Sequence, residues 1–514
     1  MGLFEPSKRA YIGGHGDAPT LLVQGPPGTG KSYATAFALF ARLQGAMAAD
    51  VAYRAFIACK THAATDVLLD KALGVHRLLR RVSEERPALF AAYFDARLLE
   101  VPLFRARPRQ TPPDGIVALP RDDERPAGVP PAVDRITAAR WCVVATPPAG
   151  IRGIIKDRWP KALFGHDLAD ALILDEASQL NLPEAAMAAL PLTRDGHLIV
   201  VGDHRQMPPI VKHDWATEPR RTFLEYRSYE SLFQTLLPLG PALIQFEESF
   251  RLHEDMAEFL RREVYVRDGI RYHSHRHDTL PALAHPDPFV AAILAPEHPL
   301  VVVVHDEAHS QARNRFEQDL VAPVLEALAD PAWYGYGPKD GLGVVVPHRA
   351  QRAALQAALP QLTVRDEETG AITLSAVDTV ERFQGDERTV IMVSATESDR
   401  DYLLMTGDFL LDPRRLTVAL SRATSKMILV ASRSVFSVFS ADEDTFAHAQ
   451  LWKNLLRHTC TIPLWTGERD GEQVEVWGNL PSRETDLDRL EREERYAYVG
   501  TAEGLHGRMP TVAV

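Results

Sequence analysis

Two tandem parallel-sheet α/β domains, the first carrying a helical and loop insertion, are the architecture this sequence predicts. Three observations carry it. Apolar runs of strand length alternate with helix-length segments through both halves of the 514-residue chain. The first half holds a Gly-x4-Gly-Lys-Ser stretch between such a run and such a segment, and the second half repeats the alternation without one. The length suggests about two to four domains, each large enough for its own core. The boundaries read from these patterns are 1–75 and 136–245 for the first domain, with an insertion at 76–135. A second domain at 246–455 and a C-terminal extension at 456–514 complete the division.

The first strand, Leu21-Leu22-Val23, runs into QGPPGTGKS at 24–32, and a helix is expected over 33–44. In that context a glycine-rich loop binds a nucleotide phosphate. Gly25, Gly28 and Gly30 let successive N–H groups turn toward an anion, with Pro26 and Thr29 completing the loop. Lys31 reaches the β- and γ-phosphates, Ser32 is a ligand for Mg²⁺, and the helix adds its positive dipole end. A strand at 51–59 follows, then Lys60-Thr61-His62 and a helical run at 63–73. Thr61 is there either a ligand contact at a strand's carboxyl end or simply the helix N-cap.

From about 74 to 133 the alternation breaks into Arg-rich helical pieces and a Pro-rich, mixed-charge stretch, which reads as the insertion. Arg105, Arg107 and Arg109 within it suit a solvated surface better than a phosphate site. Trp141-Cys142-Val143-Val144-Ala145-Thr146 resumes the sheet, and the run at 171–174 ends in Asp175-Glu176. An apolar strand ending in two carboxylates is the acidic partner a phosphate loop requires, Asp175 for the metal and Glu176 as base toward water. The strand at 198–201 ends in the polar loop Gly202 to Pro209.

In the second half, strands are expected at 300–304, 343–346, 372–377, 389–393 and 427–431, with helices at 317–329 and 349–359. A hairpin at 461–465 and 473–477 precedes a charged tail at 483–495. The run His273-Ser274-His275-Arg276-His277-Asp278 invites a metal reading, but in an expected loop it lacks the rigid support that metal ligands need.

A net charge of −12 speaks against coating nucleic acid by bulk electrostatics while leaving room for a locally basic groove. No apolar run has the length to cross a bilayer, and residues 1–14 lack a signal-peptide core. Cys59, Cys142 and Cys460 are expected as buried, reduced thiols, so the chain reads as cytoplasmic with no membrane partner.

Seven pieces in order, QGPPGTGKS, ILDEASQ, GDHRQMPP, ESFRLH, VVPHRAQ, VDTVERFQGDE and FLLDPRRLTVALSRA, resemble a superfamily 1 helicase. They are most similar to the 5′-to-3′ branch that includes the nonsense-mediated-decay RNA helicase and its bacterial relatives. The resemblance implies two RecA-like domains, ATP and Mg²⁺ as cofactors, a monomer, and single-stranded DNA or RNA as partner. It implies that Gln206 contacts the γ-phosphate or attacking water, and that Arg251 and Arg422 act as arginine fingers in cis. Phe250 would stack on the base, Glu387 would bind the ribose or couple it to the nucleic acid, and Thr61, His348 and Thr379 would contact the strand.

Departures accompany the likeness. Phe250 stands where the family usually has Tyr, Met207 where it has Leu, and His62 where it has Asn. Only about two dozen residues precede the loop, too few for the accessory barrel that relatives carry there, so the chain is expected to be either a trimmed piece of a longer protein or a minimal motor that works with a partner or fused module. The leading expectation is an ATP-driven motor on single strands. The alternative is a nucleic-acid-stimulated ATPase that clamps or remodels without unwinding. A small-molecule kinase or ring ATPase is disfavoured by Arg422 lying in the chain's own second domain.

Overall fold

The computed structural model describes residues 5–15, 17–209, 230–380, 383, 387–406 and 410–480. Eight strands of the first half form one sheet: β1 (Thr20–Gln24), β2 (Tyr53–Ala58), β3 (Leu103–Ala106), β4 (Ile116–Leu119), β5 (Trp141–Ala145), β6 (Ala169–Leu174), β7 (Leu192–Gly202) and β8 (Ala242–Gln245). Their order is β4-β3-β5-β2-β6-β7-β1-β8, and every pairing is parallel. Alternate side chains feed opposite faces. Leu21, Val23, Ala55 and Ile57 enter one core, while Leu22, Phe56 and Ala58 enter the other. A parallel sheet covered on both faces needs such unbroken apolar runs, which is why these strands are plain in the sequence.

The second half contains the short parallel pair β9 (Glu248–His253) and β10 (His273–Arg276) and a larger sheet. That sheet and an outlying hairpin use β11 (Leu300–His305), β12 (Leu342–Val346), β13 (Thr363–Arg365), β14 (Ile372–Ser375), β15 (Val377–Thr379), β16 (Arg388–Ser394), β17 (Ala423–Ser432), β18 (Ile462–Arg469) and β19 (Glu472–Gly478). The sheet order is β15-β12-β16-β17-β11-β19-β18, with β13 and β14 paired apart from it. Leu300, Val302 and Val304 face one core, and Val301 and Val303 the other.

Several features differ from the sequence reading. The helix His62–Glu85 runs straight through Gly74, where a break was expected. The stretch read as a helical and loop insertion adds β3 and β4 to the edge of the first sheet. These strands have four residues each and lie between prolines, and Arg105 interrupts the apolar run of β3. Arg105 is itself buried, not solvated: it pairs with Asp66 and donates to the Ala106 carbonyl at 2.9 Å. The residues expected as one strand over 372–377 belong to two different pairings, β14 with β13 and β15 with β12.

The hairpin β18–β19 joins the second sheet, with β19 antiparallel to β11. The histidine run begins as strand β10, because it pairs with β9. The charged tail at 483–495, the loop residues Gln384, Gly385 and Asp386, and Phe409 lie outside the described residues.

Candidate nucleotide site

β1 delivers the loop from the interior of the first sheet, and the helix Lys31–Ala48 carries it away. Gly28 (φ +73°) and Gly30 (φ +76°) take the left-handed conformation that a side chain resists. A Cβ on Gly25 would lie 2.5 Å from Lys31 Cγ, so only glycine leaves room for the lysine stem. Lys31 Nζ donates to the Gly25 carbonyl at 2.6 Å, and Thr29 Oγ1, fully buried, donates to the Pro26 carbonyl at 2.8 Å. The ammonium thus sits inside the curve of the loop, where phosphate oxygens would meet it.

Asp175 follows β6, and its N–H donates to the Ala58 carbonyl of β2 at 3.0 Å. Its Oδ2 accepts from Ser32 Oγ at 2.7 Å. Burial, then the charge of Glu176, pushes the Asp175 carboxyl up to about 6. A buried carboxylate and a hydroxyl side by side are hard oxygen donors, and a divalent cation suits them. Glu176 holds φ +52°, a strained conformation for a non-glycine residue.

β7 ends at Gly202, which lies so close to the turn after Glu176 that its Cβ would meet Ser178 N at 3.1 Å. In the loop beyond it, Gln206 Nε2 donates to Asp203 Oδ2 at 2.8 Å. Arg422 lies between the helix Pro413–Leu420 and β17, buried, with Nε donating to the Val418 carbonyl at 3.1 Å. Its Nη2 reaches Gln206 Oε1 at 3.4 Å. An arginine of the second sheet therefore touches the polar loop of the first.

Arg251 approaches from β9. The Phe250 N–H donates to the Gly28 carbonyl at 2.8 Å, and a Cβ on Gly28 would lie 2.6 Å from Arg251 Cβ. Tyr272 Oη donates to the Pro27 carbonyl at 2.6 Å, so β9 and its partner segment both dock on the phosphate loop. Arg251 Nε donates to Glu387 Oε2 at 2.8 Å, which places Glu387 at this junction. The Phe250 ring is half exposed, and Lys8 Nζ sits 4.3 Å from its centroid.

Two family models, each described as an AAA domain, match residues 9–212 and 228–434. The DNA replication ATP-dependent helicase/nuclease DNA2 of Mus musculus is 27% identical over 305 residues, 56% of this chain and 27% of that protein. A Regulator of nonsense transcripts 1 homolog of Drosophila melanogaster is 25% identical over 457 residues, 85% of this chain and 34% of that protein. The chain belongs to the superfamily 1 helicases. It spans about a quarter to a third of the length of these two relatives. A solved arterivirus nonstructural protein 10 (helicase) with DNA overlays 82% of this chain and 63% of its own at 14% identity, with a TM-score of 0.36.

The helicase family is one of nucleotide-hydrolysing enzymes with a divalent metal, and the loop, the Ser32–Asp175 pair and Glu176 are the residues here that fit that chemistry. The strand-contact candidates lie at carboxyl ends of strands in both sheets. Thr61 follows β2 and caps the helix His62–Glu85, accepting from the Ala64 N–H at 3.1 Å. Thr379 ends β15, and His348 lies two residues beyond β12 with its Nε2 2.7 Å from Glu397 Oε1. His62 turns to the insertion, where Arg105 Nη2 donates to its Nδ1 at 3.0 Å. Burial and then Arg105 hold the His62 pKa below its ordinary value.

Sequence reasoning missed Gln24, Tyr265, Asp268 and Tyr272, all of which brace the loops just described. Gln24 carried a signal, a polar side chain closing an otherwise apolar strand. The other three come from a segment with no motif of its own.

Proposed function

We propose that this chain is an ATP-dependent helicase or translocase that moves 5′-to-3′ on single-stranded DNA or RNA. Support comes chiefly from the 3.4 Å contact between Arg422 of the second sheet and Gln206 of the first. Fingers from one sheet that reach the phosphate site of the other make hydrolysis depend on closure of the two halves.

In this reading ATP lies in the loop with Lys31 on its β- and γ-phosphates, and Phe250 stacks on the base. Ser32 and Asp175 would hold Mg²⁺, which when bound neutralises phosphate charge. Glu176 takes a proton from the attacking water, Gln206 orients that water, and Arg251 and Arg422 stabilise charge on the transferring group. Glu387, paired with Arg251 at 2.8 Å, exchanges that contact for the ribose or couples the nucleotide to the nucleic acid. Thr61, His348 and Thr379 contact the strand. Free buried cysteines suit a reducing compartment, in keeping with a cytoplasmic enzyme.

The test is ATP hydrolysis by the full chain with and without DNA and RNA oligonucleotides, followed by strand displacement from 5′ and 3′ overhangs. Strand-stimulated hydrolysis with displacement from the 5′ overhang is expected. Stimulation without displacement would favour the clamping ATPase, and displacement from the 3′ overhang would reverse the assigned direction.

A further inference from the structure

The polar loop after β7 is held from the second half of the chain by a short turn, Tyr265–Asp268, that follows the helix Glu254–Glu263. Asp268 is the hub. Arg205 grips it in a two-point ion pair, with Nε at 2.9 Å from Oδ2 and Nη2 at 2.5 Å from Oδ1. Gln24 Nε2, on the last residue of β1, donates to Oδ2 at 3.0 Å, and His204 Nε2 lies 3.5 Å from the same oxygen. Burial opposes ionisation, but hydrogen bonds from His204 and Arg205 hold this carboxyl well below the usual carboxylate range. Gln245 Nε2 of β8 donates to Gln24 Oε1 at 3.1 Å and to the Asp268 carbonyl at 3.3 Å, which closes the network.

A second tie runs through Tyr265, fully buried, whose Oη donates to Asp203 Oδ2 at 2.7 Å. That same oxygen accepts from Gln206 Nε2 at 2.8 Å. Met207, the next residue, belongs to the second-half core that also holds Leu252, Tyr265 and Ile270. Gln206 is thus fixed between two ties to one turn, and the turn belongs to the core beneath β9 and Arg251.

We propose that the Tyr265–Asp268 turn is a positioning device for Gln206: Asp268, through Arg205 and Gln24, and Tyr265, through Asp203, set the sensor glutamine against the phosphate site and link its placement to the second half. Neither residue touches nucleotide. Each acts through a neighbour, so loss of either lowers the rate of the chemical step while leaving ATP binding largely intact. The inference rests on the ATPase reading above.

The experiment is a double-mutant cycle on the full chain, measured as strand-stimulated ATP hydrolysis. Asp268→Asn keeps the shape and removes the charge, and is expected to lower kcat about tenfold or more with KM for ATP within about threefold. Tyr265→Phe removes one hydroxyl and is expected to lower kcat several-fold, and it decides the matter alone if Asp268→Asn fails to fold. In a Gln206→Ala background neither change should lower kcat further. Unchanged kcat in both single variants, or losses that multiply with that of Gln206→Ala, would overturn the proposal. Absence of hydrolysis in the unmodified chain would overturn the ATPase reading and this proposal with it, whereas normal hydrolysis with independent losses overturns this one alone.

Discussion

Asp175 is buried and ionises only near pH 6, well above the free side chain. The folded state therefore holds a proton on it more tightly than the unfolded state does. Its contribution to stability is greatest at low pH and is lost as pH rises from about 4 to about 6. At neutral pH the nucleotide-free chain carries the full penalty. Asp175→Asn should then end hydrolysis yet raise stability at pH 7.5 by on the order of 1–3 kcal/mol, an advantage that fades by pH 4. Thermal melts in a chelating buffer check this, and a lower midpoint at pH 7.5 would contradict it. At the adjacent position, Glu176→Gln should lose turnover while still binding Mg-ATP, because it removes the proposed base and leaves the phosphate cradle. Near-normal turnover would assign the base elsewhere, and fluorescent-nucleotide titration checks the binding half.

At the scale of elements, β11 runs through the middle of the second sheet only because β19 pairs along its other edge. Val301 and Val303, fully buried, lie on that strand, so an uncovered edge would be long, flat and apolar. A chain ending at residue 460 is expected to aggregate or to lose several degrees of thermal stability, read by light scattering and melting. A truncated chain as soluble and stable as the whole would show that the hairpin is an appendage. In the first sheet, Arg105 satisfies the Ala106 carbonyl and pairs with Asp66 from within a buried strand. Arg105→Ala should cost about 1–3 kcal/mol in urea unfolding, since it takes the side-chain donor from the Ala106 carbonyl inside a buried strand.

For the whole molecule, the decisive geometry is that Arg251 stands against Gly28 of the phosphate loop and Arg422 reaches Gln206 within one chain. Each should lower turnover by about a hundredfold or more when changed to Ala, with small effects on ATP affinity. Mixing Arg422→Ala with Lys31→Ala protein should restore nothing, as judged by steady-state hydrolysis. Recovery in the mixture would mean that fingers are exchanged between subunits.

The residues proposed to do chemistry, from Lys31 to Arg422, could be named from the sequence because phosphate and metal chemistry admits few side chains in few orders. The central strands were legible for a different reason, since a strand buried on both faces must be apolar throughout. What lay beyond reading was decided by contacts between distant segments. β3 and β4 are too short to announce themselves, and Arg105 disguises the first of them. β19 reads as half of an isolated hairpin until it meets β11. Tyr265 and Asp268 have no motif, and their roles exist only because folding brings them 62 and 63 positions back along the chain to Asp203 and Arg205. Local spacing carries the demands of a ligand and of a buried strand; partners far apart in sequence are chosen by packing, which only the tertiary structure decides.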